Sequence, residues 1–278
     1  MNKVVQRLLV FFIGIPVVLG IVYFSYLNHL LLNIVLVVCS GIATSELYNL
    51  YAKKTPLLSK PFLIILSSLM PIVAYLSVIF NFDTEYINWT FIFSIFLVLA
   101  VEVFTHKTFE DSNLRISSSV FVIFYGGYLL TFITRISTLQ NSVLFLSLFL
   151  FLVFICDSLA WLFGVLFGKN NRGYVAASPN KSIVGFIGGY IGSIGSALLA
   201  RCIWPEIFYG SFVKSIILGI LVASSGIIGD LVESVFKRSS DTKDSGNVIL
   251  GRGGLLDSID SILYAAPIFY VAVHFLYS

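Results

Sequence analysis

Asp230, Glu233, Ser234 and Lys237 stand at spacing i, i+3, i+4 and i+7, which puts them on one face of a helix. Asp257, Asp260, Ser261 and Tyr264 repeat that spacing further along the chain. Between the two sets runs a segment rich in Ser, Asp, Lys and Gly, from Arg238 to Gly254. A loop of this kind returns the chain to the surface it left, so the two acidic faces are expected to meet. Carboxylates brought together repel one another and need neutralisation. Asp oxygens with Ser hydroxyls suit a hard divalent cation, and Mg²⁺ uses one or two carboxylates while keeping positions open for water and phosphate. Solvated helix ends are the plainer alternative, since Asp257 and Asp260 also suit a helix N-terminus. That alternative leaves Asp230 and Glu233 near a helix C-terminus, where the dipole disfavours them.

Gly251-Arg252-Gly253-Gly254 precedes the second acidic face. Backbone N–H groups at such a turn, with the helix dipole behind them, can hold an anion. Lys243, Asp244 and Asp257 flank it, so the segment reads as a phosphate-plus-metal site. A second loop offers Lys169 and Arg172, then Ser178-Pro179-Asn180-Lys181-Ser182; lysine suits phosphate as a point charge. Gly164–Lys169 is not a P-loop, because the glycine spacing is short and no Ser or Thr follows the lysine. His29, His106 and His274 are isolated, and Cys39, Cys156 and Cys202 have neither CxxC nor zinc spacing. No Ser-His-Asp grouping is evident, and phosphoryl chemistry requires none: positioning and charge neutralisation suffice.

The elements that must position these groups follow from composition. The 278 residues are 58% hydrophobic and only 11% charged, with a mean hydropathy of +0.97. A soluble domain carries about 25% charged residues. Too few polar side chains exist to cover a water-facing surface. This excludes an ordinary cytosolic enzyme, a disordered regulator and a nucleic-acid binder acting through a basic face. The chain reads as an all-α, polytopic integral membrane protein whose solvent is the lipid bilayer. Apolar runs predict about nine transmembrane helices, near 7–25, 30–51, 62–80, 88–105, 118–134, 142–167, 183–202, 211–233 and 258–276. The first run follows Lys3 and Arg7 but leads to no small-residue cleavage site, so it is expected to be a retained helix.

Of the 17 Lys and Arg residues, all but Arg135, Arg201 and Lys214 then fall on one side. By the positive-inside rule that side is cytoplasmic, with the N-terminus cytoplasmic and the C-terminus outside. The expected location is the cell (inner) membrane. The chain is expected to form a single membrane domain, with N-terminal helices over 1–134 and catalytic helices over 135–278. The polar loops 168–182 and 234–257 both face the cytoplasm in this reading. Internal repeats are not apparent, which speaks against many carrier folds.

Four acids fall inside spans or near their ends: Glu46, Glu102, Asp157 and Asp230. A charge in hydrocarbon costs about 2.5–3.5 kcal/mol on insertion scales. Glu46 and Glu102 are expected to reach the interface or a Ser/Thr partner. Asp157 lies too deep for that, roughly 15 Å from its helix end at 1.5 Å per residue, and implies a polar cavity. Gly185, Gly188, Gly189, Gly192 and Gly195 form a small-residue stripe, expected to serve close helix packing, with a homodimer interface as its other use. A membrane-level site that combines Asp, Lys and Gly turns suggests transfer between a soluble nucleotide and a phospholipid headgroup.

Three segments carry a resemblance. The first runs Gly229-Asp230-Leu231-Val232-Glu233-Ser234-Val235-Phe236-Lys237-Arg238, then Lys243-Asp244, then Gly251-Arg252-Gly253-Gly254-Leu255-Leu256-Asp257-Ser258-Ile259-Asp260-Ser261. The others are Asp157-Ser158-Leu159-Ala160-Trp161 and Ser178-Pro179-Asn180-Lys181-Ser182 followed by Gly188-Gly189. Together they resemble the phosphatidate cytidylyltransferase (CDP-diacylglycerol synthase) family, whose pattern is S-x-x-K-R-x₄-K-D, P-G-H-G-G and D-R-x-D, with D-T-x-A-[YW] and S-P-x-K-T upstream. The chain departs from it at Arg252 for His, Leu250 for Pro, Ser258 for Arg and Val184 for a Glu.

The resemblance implies CTP and phosphatidic acid as substrates, with CDP-diacylglycerol and pyrophosphate as products. It implies Mg²⁺, with a monovalent metal as a second ion, held by Asp230 and Asp257 and completed by Asp260 and Asp244. Lys237, Arg238, Lys243 and Arg252 would meet phosphate groups. Asp157, Lys169, Ser178, Lys181, Ser234, Gly253 and Gly254 would help bind substrate. Nucleic acid is not an expected partner. The competing readings are a CTP-dependent lipid kinase of the polyprenol type, a catalytically weakened paralogue, and an ion-coupled carrier using Asp157 and Asp230.

Overall fold

The computed structural model describes residues 10–249, 251 and 253–277. Lys3 and Arg7, Leu250, Arg252, and the start of the expected 7–25 span lie outside the described residues. A π-helical turn, Val10–Gly14, leads into α1, Ile15–Tyr23. There follow α2 (Tyr26–Tyr51), α3 (Lys60–Ile79), α4 (Glu85–Thr105), α5 (Ser112–Gly126) and α6 (Thr131–Ile136). The rest are α7 (Ser142–Phe167), α8 (Ile183–Ile203), α9 (Phe212–Ser239) and α10 (Leu256–Tyr277). Among the described residues there is no strand, only isolated bridges Arg172–Ser182 and Ile249–Gly253. Among the described residues, eight helical stretches are long and apolar enough to cross a membrane, with the shorter apolar helix Phe12–Tyr23 before them. The protein is therefore an all-α, multi-pass membrane protein.

Large apolar side chains face outward as well as inward, and many small polar ones are buried. Ser67, Ser94, Ser119, Ser193 and Ser215 are buried, whereas Trp89, Phe96, Phe104 and Ile191 are exposed. Lipid tails are as apolar as leucine, so apolar packing alone does not hold helices together, and small residues and polar contacts add to it. The glycine stripe works in this way. A Cβ at Gly188 would fall 2.6 Å from the Phe163 ring, and one at Gly189 would fall 3.0 Å from Cys156 Sγ. Gly192 faces Ile155 equally closely, which seats α8 against α7. Gly195 meets nothing within 4 Å.

The chain forms two compact units. The first takes the described residues through Val143 together with Ser239–Ser258; the second takes Leu144–Arg238 and the described residues from Ile259 on. The loop before α10 thus groups with the N-terminal helices rather than with the helices that flank it. In the first unit, Leu47, Leu63, Met70, Ile123 and Leu130 are buried. Leu27, Asn28 and His29 are left-handed at φ 47°, 50° and 60°, so the right-handed course of α2 starts at residue 30. Asn33 Nδ2 donates to the His29 carbonyl at 3.0 Å, and Thr134 Oγ1 donates to Asn33 Oδ1 at 2.7 Å. Polar backbone freed by the kink is thereby satisfied, as lipid demands. In the second unit, Phe149 packs on Phe269 with centroids 5.1 Å apart.

Two boundaries differ from expectation. The span expected at 118–134 starts at Ser112 and is interrupted by a 3₁₀ turn at Tyr128–Leu130. The span expected to end at 233 continues to Ser239, so Ser234, Lys237 and Arg238 belong to α9 and not to the following loop. No breaker lies in this stretch, and two basic side chains in a last turn favour the dipole. The helix ends just before Asp241, left-handed at φ 53°.

Candidate functional site

In the second unit, glycine lets α9 and α10 approach. A Cβ at Gly229 would stand 2.7 Å from the Asp260 carbonyl oxygen and 2.7 Å from Tyr264 Cβ. Asp230 follows Gly229 on α9 and so lies beside the α10 turn that carries Asp260. Asp260 is 7% exposed. Its Oδ1 accepts from the Ser261 backbone N–H at 2.6 Å. The Ser261 hydroxyl is buried and has no hydrogen-bond partner among the described residues.

The 168–182 loop reaches the same part of α9. Lys181 Nζ donates to Asp230 Oδ2 in an ion pair. Arg238 Nε donates to the Ala177 carbonyl at 3.3 Å, next to Ser178. Ser182 caps α8, its hydroxyl accepting from the Gly185 N–H at 3.0 Å. Lys169 is exposed just past α7, and Arg172 donates to the Gly164 carbonyl at 3.2 Å. Glu233 is fully buried and pairs with Lys237 one turn on. Asp157 sits ten residues before the end of α7, as expected, on an exposed face.

In the first unit, the loop before α10 is a knot of carboxylates and glycines. Gly251 and Gly253 adopt φ of 75° and 114°, and Ile249 and Gly253 exchange both backbone hydrogen bonds. Asp244 and Asp257 flank Gly253: a Cβ there would be 2.6 Å from Asp257 Oδ2 and 3.0 Å from Asp244 Cβ. Asp257 Oδ2 accepts from the Gly254 N–H at 2.7 Å, the Ser245 N–H at 2.8 Å and the Ser245 hydroxyl at 3.0 Å. Lys243 and Asp244 are exposed.

This geometry corrects one expectation. The N–H groups of the Gly253-Gly254 turn were expected to cradle phosphate. The Gly253 N–H instead donates to Ile249, the Gly254 N–H to Asp257, and those of Leu255 and Leu256 to Glu46 Oε1 and Oε2 at 2.9 and 2.8 Å. The helix N-terminus attracts anions, and the protein's own carboxylates fill it. Sequence reasoning missed Glu46 in this role. It could register an intramembrane acid, but the Ser245 hydroxyl that Glu46 Oε2 accepts from is 199 residues away in sequence. Glu102, the other such acid, is met as expected by a hydroxyl, that of Ser112 at 2.6 Å, and also by Arg115 through two hydrogen bonds.

Among the described residues, no three His, Cys, Asp or Glu side chains converge tightly enough to hold a metal alone. Mg²⁺ commonly takes only one or two carboxylates and fills its shell with water and phosphate oxygens. Asp230, Asp260 and the partnerless Ser261 hydroxyl fit that donor chemistry.

The sequence model of the Cytidylyltransferase family matches residues 5–276, and the chain belongs to that family. It is 33% identical over 168 residues to a phosphatidate cytidylyltransferase of Aquifex aeolicus, covering 60% of each chain. It is 40% identical over 122 residues to one of Staphylococcus saprophyticus, covering 44% of this chain and 46% of that protein. With the Thermotoga maritima phosphatidate cytidylyltransferase, the identity is 30% over 213 residues and 76% of each chain. The chain thus spans less than two thirds of the first two relatives it matches.

Proposed function

We propose that this protein transfers the cytidylyl group of CTP to phosphatidic acid, giving CDP-diacylglycerol and pyrophosphate. The single observation that carries this reading is the Lys181–Asp230 ion pair on α9, one residue past the glycine that seats α9 against Asp260, within a family of cytidylyltransferases. A phosphatidate oxygen, already anionic near pH 7, attacks the α-phosphorus of CTP. The new P–O bond forms as the bond from the α-phosphorus to the bridging oxygen breaks, and pyrophosphate carries that oxygen away. No general base is required.

Asp230 and Asp260 are the carboxylates we assign to Mg²⁺, which when bound would neutralise the phosphates and the leaving pyrophosphate; Asp244 and Asp257 remain candidate acids of the loop before α10. Lys181 is assigned to a CTP phosphate. Its ion pair with Asp230 supports this, because a mobile ammonium beside the metal's carboxylate can turn to phosphate without leaving the site. Lys237, Arg238, Lys243 and Arg252 are assigned to the remaining phosphate charge, and Asp157, Lys169, Ser178 and Ser234 to holding substrate. In this reading the site faces the cytoplasm, CTP arrives from water and phosphatidic acid from the inner leaflet.

The purified protein in phospholipid micelles with CTP, phosphatidic acid and Mg²⁺ is expected to release pyrophosphate and CDP-diacylglycerol in equal amounts. Release of CDP with a newly phosphorylated lipid would identify a kinase instead. Absence of any turnover would defeat the proposal.

A further inference from the structure

Outside the expected acidic faces, Glu46 on α2 is held by distant parts of the chain. It is 4% exposed, and both its oxygens are engaged by distant backbone. Oε1 accepts from the Leu255 N–H at 2.9 Å. Oε2 accepts from the Leu256 N–H at 2.8 Å and from the Ser245 hydroxyl at 3.1 Å. The same Ser245 hydroxyl lies 3.0 Å from Asp257 Oδ2. Glu46 and Asp257 therefore grip the two sides of one turn, dividing between them the N–H groups of Gly254, Leu255 and Leu256 that lead into α10, and sharing Ser245. Two glycines are shaped around this carboxylate. A Cβ at Gly246 would fall 2.5 Å from Glu46 Oε1, and one at Gly254 would fall 2.4 Å from Oε2.

We propose that Glu46 is a positioning residue that fixes the start of α10 and so aims the Asp257 carboxylate. Glu46 touches neither substrate nor reacting atoms; it acts through the Leu255 and Leu256 amides and Ser245. A carboxylate is needed because each oxygen receives at least one N–H. A glutamine offers one oxygen and one NH₂, and the NH₂ cannot accept. One of the two helix-start amides would then face a donor. The catalytic part of this inference rests on the cytidylyl-transfer reading above; the positioning part does not.

The experiment compares wild type with Glu46→Gln, Glu46→Asp and Gly254→Ala in phospholipid micelles by two readouts. In hydrogen–deuterium exchange, Glu46→Gln is expected to speed exchange of the 254–257 amides by about tenfold or more, with α3 and α4 unchanged. Glu46→Asp should restore part of the protection, and Gly254→Ala should reproduce the local loss without removing the charge. In turnover, Glu46→Gln is expected to lower kcat by about 10- to 100-fold while KM for CTP stays within about threefold. Unchanged exchange at 254–257, or exchange raised throughout the first unit, overturns the proposal. A wild type that makes no CDP-diacylglycerol defeats the functional reading instead, and exchange then still decides the role of Glu46.

Discussion

Asp257 and Asp230 are both acids, but the structure handles them differently. Asp257 Oδ2 is held by three donors, whereas Asp230 is held by one flexible ammonium. Asp257 is a fixed group and Asp230 an adjustable one. Lys181→Met should raise KM for CTP by about 10- to 100-fold, the worth of one charge-assisted hydrogen bond; steady-state kinetics check it. Asp241 marks the other extreme. Its hydrogen bond from Lys54, and then the Lys54 charge, hold its carboxyl below the usual range. A lowered pKa contributes stability above the ordinary carboxylate value, about 4, which is lost as the pH falls through the lowered value. The pair is exposed, so Asp241→Asn should move the melting midpoint by no more than about 2 °C at neutral pH. The shift should vanish at low pH.

At the scale of elements, glycine and buried ion pairs decide which helices can approach. Gly229→Val would drive a side chain into the Asp260 carbonyl and Tyr264. Overpacking of this kind costs about 1–3 kcal/mol, and the displaced α10 should lower turnover beyond the stability loss; thermal unfolding and kinetics on one preparation separate the two. Arg115→Leu would leave buried Glu102 with the Ser112 hydroxyl and His106 but without its guanidinium and should cost about 3 kcal/mol, measurable as the shift of a denaturant midpoint. Much at this scale was legible in the sequence. Apolar runs marked the spans, the i, i+3 spacing put Asp230 and Glu233 on one helix, and the stripe at Gly188, Gly189 and Gly192 announced close packing. The Glu46 clamp was not legible, because local spacing carries no information about backbone amides 209 and 210 residues away. Nor was the filling of the Gly253-Gly254 cradle, since a glycine turn looks alike whether it holds phosphate or its own aspartate.

For the molecule as a whole, composition alone defined the solvent: with 11% charged residues, buried serines and exposed phenylalanines are the expected arrangement in lipid. The asymmetry of Lys and Arg is the basis of the proposed orientation. Single cysteines at Asn170 and Asn247, in a background with Cys39, Cys156 and Cys202 replaced, should resist a membrane-impermeant maleimide in intact cells, while one at Asp83 should react. The central claim is that acids at the α9–α10 pair and its preceding loop support cytidylyl transfer, and CDP-diacylglycerol formation by wild type, Asp230→Ala and Asp257→Ala at equal folded amounts tests it most directly. The account predicts turnover by wild type and a loss of at least about 100-fold in each variant; variants that retain wild-type turnover would contradict it.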